Sequence, residues 1–181
     1  MCNNVRIAIS GKSGCGNTTI SKIVADTLGL KFINFTFRSL AKEHNLDLKK
    51  VLELAENDDF WDREVDSRQV KIAMEADGCV LGSRLAIWML KEADLKVYLL
   101  ASPETRAGRI VKREGDTPES VAAFTARRDK QDHERYLKIY GINNDDYAFA
   151  DLIIETDNLS PIEIAEMIVN KIREKRNKSC I

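Results

Sequence analysis

Short apolar runs alternate with longer amphipathic stretches along the chain. Five runs have the length and composition of strands, at residues 5–10, 31–35, 79–82, 95–100 and 152–155. Between these runs, apolar residues recur at helical spacing. The order predicts one α/β domain over residues 1–181, built on an open sheet with parallel strands and right-handed connections.

Capping residues and glycines indicate where the helices begin and end. Helices are predicted over residues 17–28, 37–77 in two or three pieces, 85–91, 103–115, 119–140 and from 160 onward. Thr36 and Asp47 stand at N-cap positions, and either Asp58 or Asp59 caps the longest piece of the 37–77 segment. Few apolar residues recur within 119–140, so this helix is expected to be largely exposed or to cover a cleft.

The stretch VRIAISGKSGCGNTT near the N-terminus has the layout of a phosphate-binding loop. Gly11, Gly16 and Thr18 fit the pattern G-x-x-x-x-G-K-[ST], but Asn17 stands where the lysine belongs. Most of such a cradle is backbone N–H and helix N-terminus, so part of the case for anion binding survives this loss. Lys12 is the nearest substitute charge. The alternative is a plain glycine-rich turn from a strand to a helix.

Charge and cysteine content disfavour several functional classes. The chain carries 28 basic and 29 acidic side chains, so no global field favours nucleic acid or a membrane surface as a partner. It has no apolar run long enough to span a bilayer and no signal sequence, which predicts a cytoplasmic protein. The four cysteines are scattered without a CxxC pair, which disfavours a metal site or a disulfide framework. Cys15 is expected to be a small loop residue, with a reactive thiol as the alternative.

Several stretches beyond the loop carry a family resemblance: FRSLA, WDREVDSRQ, SRLAIWML, RIVKREG and RRDKQDHERYLKIYGI. With the loop, they make nearly the whole chain similar to the cytidylate kinases among the nucleoside monophosphate kinases, in the short archaeal-type branch. The resemblance implies a three-layer P-loop kinase fold with a five-stranded parallel sheet, a helical monophosphate-binding insertion at 36–77 and a lid at about 113–140. It also implies phosphoryl transfer from ATP, with Mg²⁺, to CMP or dCMP, giving ADP and CDP or dCDP.

The resemblance assigns roles to individual residues. ATP is expected to bind Gly11, Lys12, Ser13, Gly14, Cys15, Gly16, Asn17, Thr18, Thr19 and Arg109. Thr18 is expected to hold the metal. CMP or dCMP is expected to contact Arg38, Arg68, Arg84, Arg128, Asp132 and Arg135. The expected catalytic residues are Lys12, Arg84, Arg113 and Arg128, because positioning and charge neutralisation supply most of the catalysis in phosphoryl transfer. For Arg68, a surface ion pair is the alternative.

Two departures from the family pattern leave the mechanism open. Asn17 replaces the loop lysine, and Gly82 stands where an Asp or Glu usually helps to orient the magnesium shell. The leading hypothesis is a kinase in which Lys12 and the arginines compensate. The alternatives are a nucleotide-binding protein with weak or no kinase activity, and a kinase of the same fold acting on another small acceptor. The expected partners are small nucleotides, and the chain is expected to be a monomer, with a dimer left open.

Overall fold

A single parallel sheet forms the centre of the molecule. The computed structural model describes residues 4–114 and 117–179, except for the side chains of residues 113, 114, 118, 119, 178 and 179. The strands are β1 (Arg6–Gly11), β2 (Lys31–Ile33), β3 (Cys79–Gly82), β4 (Leu95–Leu100) and β5 (Leu152–Glu155). They lie in the order β2-β3-β1-β4-β5, and every pairing is parallel. The predicted five-stranded parallel sheet is confirmed.

Helices cover both faces of this sheet. They are α1 (Asn17–Leu28), α2 (Phe37–Glu43), α3 (Leu48–Asn57), α4 (Phe60–Glu75), α5 (Ala86–Met89), α6 (Pro103–Glu114), α7 (Pro118–Tyr140) and α8 (Pro161–Ser179). Ile7 and Ile9 of β1 pack toward α1 and α8, whereas Ala8 packs on the opposite face with α4 and α5. Because successive strand residues point to opposite faces, β1 contributes to both cores. Among the described helices, none is long and apolar enough to cross a membrane.

The predicted caps at Thr36 and Asp47 are confirmed, and two predicted elements are shorter than expected. Thr36 forms a capping box with Ser39, and the side chain of Asp47 caps α3. Strand β2 ends at Ile33 rather than at residue 35, because the backbone beyond it leaves the sheet to line a cleft. The helix predicted over 85–91 is only the single turn of α5, since the backbone of Leu90 leaves the helical conformation (ψ 81°).

Helix α7 buries a face of mixed polarity and exposes the opposite one. In α7 the buried side chains are Val121, Thr125, Asp132, Tyr136 and Ile139. They follow one another at steps of four, seven, four and three residues, which places them along one stripe. The helix therefore covers a cleft, which is one of the two outcomes expected from its sparse apolar pattern.

The carboxyl end of β3 packs against α1 without room for a side chain. An ideal Cβ on Gly82 would lie 2.5 Å from Ser21 Oγ and 2.8 Å from Ser21 Cβ. Ser21 is fully buried in α1. The same Cβ would lie 3.5 Å from the backbone oxygen of Asn17. The two positions that depart from the family pattern are therefore neighbours, and this close α1–β3 contact requires glycine at position 82.

We expect Gly82→Ala to lower the free energy of unfolding by about 1–3 kcal/mol, because the added methyl group overpacks the contact with Ser21. Urea or guanidinium unfolding measures the effect. Gly108→Ala is the matched control, since Gly108 is exposed within α6 and its added Cβ meets nothing within 4 Å. This control is expected to stabilise the protein by about 1 kcal/mol. Equal or greater stability of Gly82→Ala would contradict the packing argument.

Candidate active site

A cleft of about 730 Å³ opens at the carboxyl ends of β1, β2 and β3. Its lining includes the loop and helix start at 12–20, the segment 34–37 after β2, and the β3–α5 turn at 82–85. Side chains from α4, α6 and α7 close the remaining sides. Parallel α/β sheets bind ligands at this edge, where the loops after several strands converge.

The loop between β1 and α1 leaves the start of the helix open to the cleft. Gly14 and Gly16 have positive φ angles of 85° and 100°, a backbone conformation that favours glycine. The N-cap of α1 is Gly16, which has no side chain with which to cap the helix. Its first backbone N–H groups and the positive end of the helix dipole therefore remain available for an anion.

Two arginines of α6 brace this loop from behind. Arg106 donates from Nε to the Ser13 carbonyl (2.8 Å) and pairs with Asp129 of α7 (2.6 Å). Arg109 donates to the Gly14 carbonyl (3.3 Å) and to the Thr156 carbonyl (2.7 Å). Because these guanidiniums bind loop carbonyls, they fix the loop conformation directly. Arg109 also lines the cleft, and Arg106 is a brace that the sequence-based assignment omitted.

Lys12, the charged candidate for the missing lysine, and Asn17, which replaces it, are both already engaged within the chain. Lys12 lines the cleft, but its Nζ forms an ion pair with Asp145 Oδ1 at 2.7 Å. Asp145 also lies 3.4 Å from His133 Nδ1. Asn17 donates from Nδ2 to the Gly11 carbonyl at 2.6 Å, which joins the two ends of the loop. The asparagine thus stabilises the loop itself, and Lys12 is held at its edge.

One buried carboxylate orients two arginines of the cleft. Asp132 is only 6% exposed. It accepts hydrogen bonds from Arg84 Nη1 at 2.6 Å and from Arg135 Nη2 at 3.1 Å. Arg135 Nε lies a further 3.5 Å from Asp62 Oδ1. We call Arg84, Arg128, Asp132 and Arg135 the arginine hub; its three arginines line the cleft.

Arg128 is the unpaired cation of the arginine hub. It forms no hydrogen bond or ion pair with any residue in the described part of the chain. Burial lowers the pKa of its guanidinium, and the neighbouring charge of Arg84 lowers it further. Two guanidiniums held close together in this way attract an anion that relieves their repulsion.

The remaining predicted arginines are Arg38, Arg68 and Arg113. Arg38 is exposed on α2 and is not part of the cleft lining. Arg68 also lies outside the lining and pairs with Glu43 and Glu64. These ion pairs match the surface alternative considered for Arg68. The side chain of Arg113 lies outside the described residues.

Thr18 and Thr19 occupy the first turn of α1 and line the cleft. Thr18 Oγ1 accepts a hydrogen bond from Asn34 Nδ2 at 3.3 Å. Within residues 4–114 and 117–179, no three His, Cys, Asp or Glu side chains gather as a metal site. Mg²⁺ retains several waters and takes phosphate oxygens as ligands, so the single hydroxyl of Thr18 fits a metal bound mainly through a nucleotide. Gly82 adds no carboxylate to this set.

A polar stripe of α4 lines the cleft and was missed from the sequence. It consists of Asp62, Asp66 and Gln69, with Val65 between them. The spacing of four and three residues puts them on one helical face, which is the signal that could have identified them. The sequence-based assignment instead chose Arg68 of the same helix, which does not line the cleft.

Burial perturbs both carboxyl groups of the α4 stripe. It raises the pKa of Asp66 to about 6, although Tyr140 donates its hydroxyl to Asp66 Oδ2 at 2.7 Å and opposes the shift. Burial likewise raises the pKa of Asp62, and the nearby Arg135 counteracts this effect. Asp62 and Asp66 line the same cleft as the arginine hub, so the cleft is basic on one side and acidic on the other.

The chain is similar to known proteins over most of its length. The profile of the "Cytidylate kinase-like family" matches residues 6–158. "Cytidylate kinase 2" of Borreliella burgdorferi is 46% identical over 177 residues, which cover 96% of this chain and 97% of that protein. "Cytidylate kinase" of Pyrococcus horikoshii is 43% identical over 157 residues, covering 86% and 81%.

A solved structure supports the fold independently. Shikimate kinase from Acinetobacter baumannii, in complex with shikimate, superimposes with a TM-score of 0.65 at 18% sequence identity. The alignment covers 94% of this chain and 93% of that one. At this identity the likeness concerns the architecture alone, and it confirms the predicted P-loop kinase fold.

Proposed function

The chain belongs to the cytidylate kinase-like family, and from this premise we propose that it transfers the terminal phosphoryl group of ATP to CMP or dCMP. The products are ADP and CDP or dCDP. The single observation that carries the proposal is the arginine hub. It places Arg128, which no described carboxylate pairs, beside Arg84 in a cleft that also contains the phosphate-binding loop.

The loop side of the cleft is proposed to bind the donor. Backbone N–H groups of 11–16 and the uncapped start of α1 hold the phosphates of ATP, while Thr18 and Thr19 contribute hydroxyls. Mg²⁺, when bound with the nucleotide, would neutralise phosphate charge, and the Thr18 hydroxyl would hold it. Arg106 and Arg109 keep the loop in shape because they bind its carbonyl oxygens.

The arginine hub is proposed to bind the acceptor and the transferred group. Arg84 and Arg128 neutralise the charge that develops on the equatorial oxygens, and Arg135 contacts the monophosphate. Asp132 positions Arg84 and Arg135 before the ligand arrives. Arg38, Arg68 and Arg113 are proposed to reach the nucleotides when the 36–77 insertion and the lid at about 113–140 close over them.

Lys12 is proposed to supply the mobile charge that Asn17 cannot. Its ammonium group already sits beside the loop, and the ion pair with Asp145 is exposed enough to exchange for a phosphate. With glycine at position 82 instead of the acid of the family pattern, one negative charge is absent beside Asn17. This partly balances the missing positive charge of the loop lysine.

The reaction is tested by measuring ADP formation from ATP and Mg²⁺ with CMP, dCMP, UMP or AMP offered separately. We expect turnover with CMP and dCMP that depends on the acceptor. The absence of turnover with all four, combined with measurable CMP binding, would replace the kinase proposal by the nucleotide-binding alternative. Turnover confined to UMP or AMP would correct the acceptor and leave the reaction class intact.

We expect Lys12→Ala to lower kcat by about 10- to 100-fold, because it removes a positive charge from the donor phosphates. Steady-state kinetics at saturating ATP and CMP measure the change. Lys22→Ala is the control, since Lys22 is exposed on α1 away from the cleft. Activity of Lys12→Ala equal to that of the control would refute the substitute-lysine role.

A further inference from the structure

The α4 stripe carries two buried acceptor atoms that nothing in the described part of the chain satisfies. Asp62 and Gln69 are each only 4% exposed, and both line the cleft. Asp62 Oδ2 and Gln69 Oε1 have no hydrogen-bond partner among the described residues. Leaving a buried acceptor unpaired is costly, so two of them on one helical face indicate that a ligand supplies the missing donors.

The other polar atoms of the stripe are already engaged, which fixes the orientation of these two. Gln69 Nε2 donates to Asp66 Oδ1 at 3.3 Å, and Tyr140 donates to the other oxygen of Asp66. The amide oxygen of Gln69 must therefore face away from Asp66. Arg135 lies beside Asp62 Oδ1 at 3.5 Å, which leaves Oδ2 as the free oxygen of that carboxylate.

This arrangement has the chemistry of a site for an amino group. Two buried acceptors that line one cleft favour a ligand that carries N–H donors, and the exocyclic amino group of cytosine has two of them. Uracil presents a carbonyl oxygen at the same ring position, which would face the carboxylate and the amide oxygen without a hydrogen bond. Val65, between the two polar residues and 7% exposed, offers an apolar contact for the flat face of a base.

We propose that Asp62 and Gln69 bind the exocyclic amino group of the acceptor base and select cytosine over uracil. This inference rests on the proposed function, because it places the base of the acceptor against α4 while its phosphate lies on the arginine hub. The charge distribution fits such a ligand. The arginine hub is basic toward the phosphate end, and Asp62 and Asp66 are acidic toward the amino end.

The substitution Asp62→Asn tests the proposal because it inverts one hydrogen-bonding position without changing its shape. Arg135 Nε needs an acceptor, so the amide oxygen of the new side chain stays beside Arg135 and its NH₂ group takes the place of Oδ2. An acceptor thus becomes a donor. We expect CMP to bind more weakly and UMP more tightly, so that the ratio of their dissociation constants shifts by at least about tenfold toward UMP.

Titration calorimetry with CMP and with UMP, in the absence of ATP, measures this ratio in the full-length chain. Because no turnover is needed, the result is separate from any failure of the kinase proposal. Glu75→Gln is the control at the exposed end of α4 and should leave the ratio unchanged. Gln69→Met, which removes the second acceptor at similar volume, should weaken CMP and leave UMP unaffected.

Three results would overturn the inference. The first is native protein that binds CMP and UMP equally well. The second is a parallel change of both constants in Asp62→Asn, which would assign the free oxygen to a group common to the two nucleotides, such as a ribose hydroxyl. The third is an unchanged ratio of the CMP and UMP dissociation constants in Gln69→Met. This variant tests the inference even if Asp62→Asn does not fold.

Discussion

The buried carboxylate of Asp132 is the constraint on which the cleft depends. It lies on α7 and binds Arg84 from the β3–α5 turn and Arg135 from its own helix. Through Arg135 the contact continues to Asp62 on α4. Charge-assisted hydrogen bonds of this kind fix guanidinium orientation, and removing one partner from a buried pair leaves an uncompensated charge. Three separate chain segments are thereby held together at one side of the cleft.

The same logic explains how the loop tolerates its unusual sequence. Asn17 donates to the Gly11 carbonyl, and arginines of α6 donate to further loop carbonyls, so neutral and cationic donors hold the loop backbone in place. At position 82 a side chain would collide with Ser21. Packing against Ser21 therefore accounts for the glycine at position 82, next to the backbone of Asn17.

Much of the fold could be predicted because buried parallel strands read as short apolar runs and helix ends carry caps. The loop and the arginines at 84, 128 and 135 could likewise be placed from spacing and resemblance. The contacts that could not be predicted depend on how a helix is rotated about its axis and on partners far apart in the sequence. The rotation of α4 turns Asp62 and Gln69 inward and leaves Arg68 paired with Glu43, while the ion pair of Lys12 joins it to Asp145, far along the chain.

The affinity of Asp132→Asn for CMP, measured by titration calorimetry, tests whether Asp132 holds the arginines of the cleft in place. An asparagine keeps the shape but removes the negative charge and one acceptor, so it cannot hold both guanidiniums in place. With folding verified by urea unfolding, we expect a CMP dissociation constant at least about tenfold larger than that of the native protein, since the penalty exceeds about 1.4 kcal/mol. An unchanged CMP affinity in a folded Asp132→Asn variant would contradict this role of Asp132.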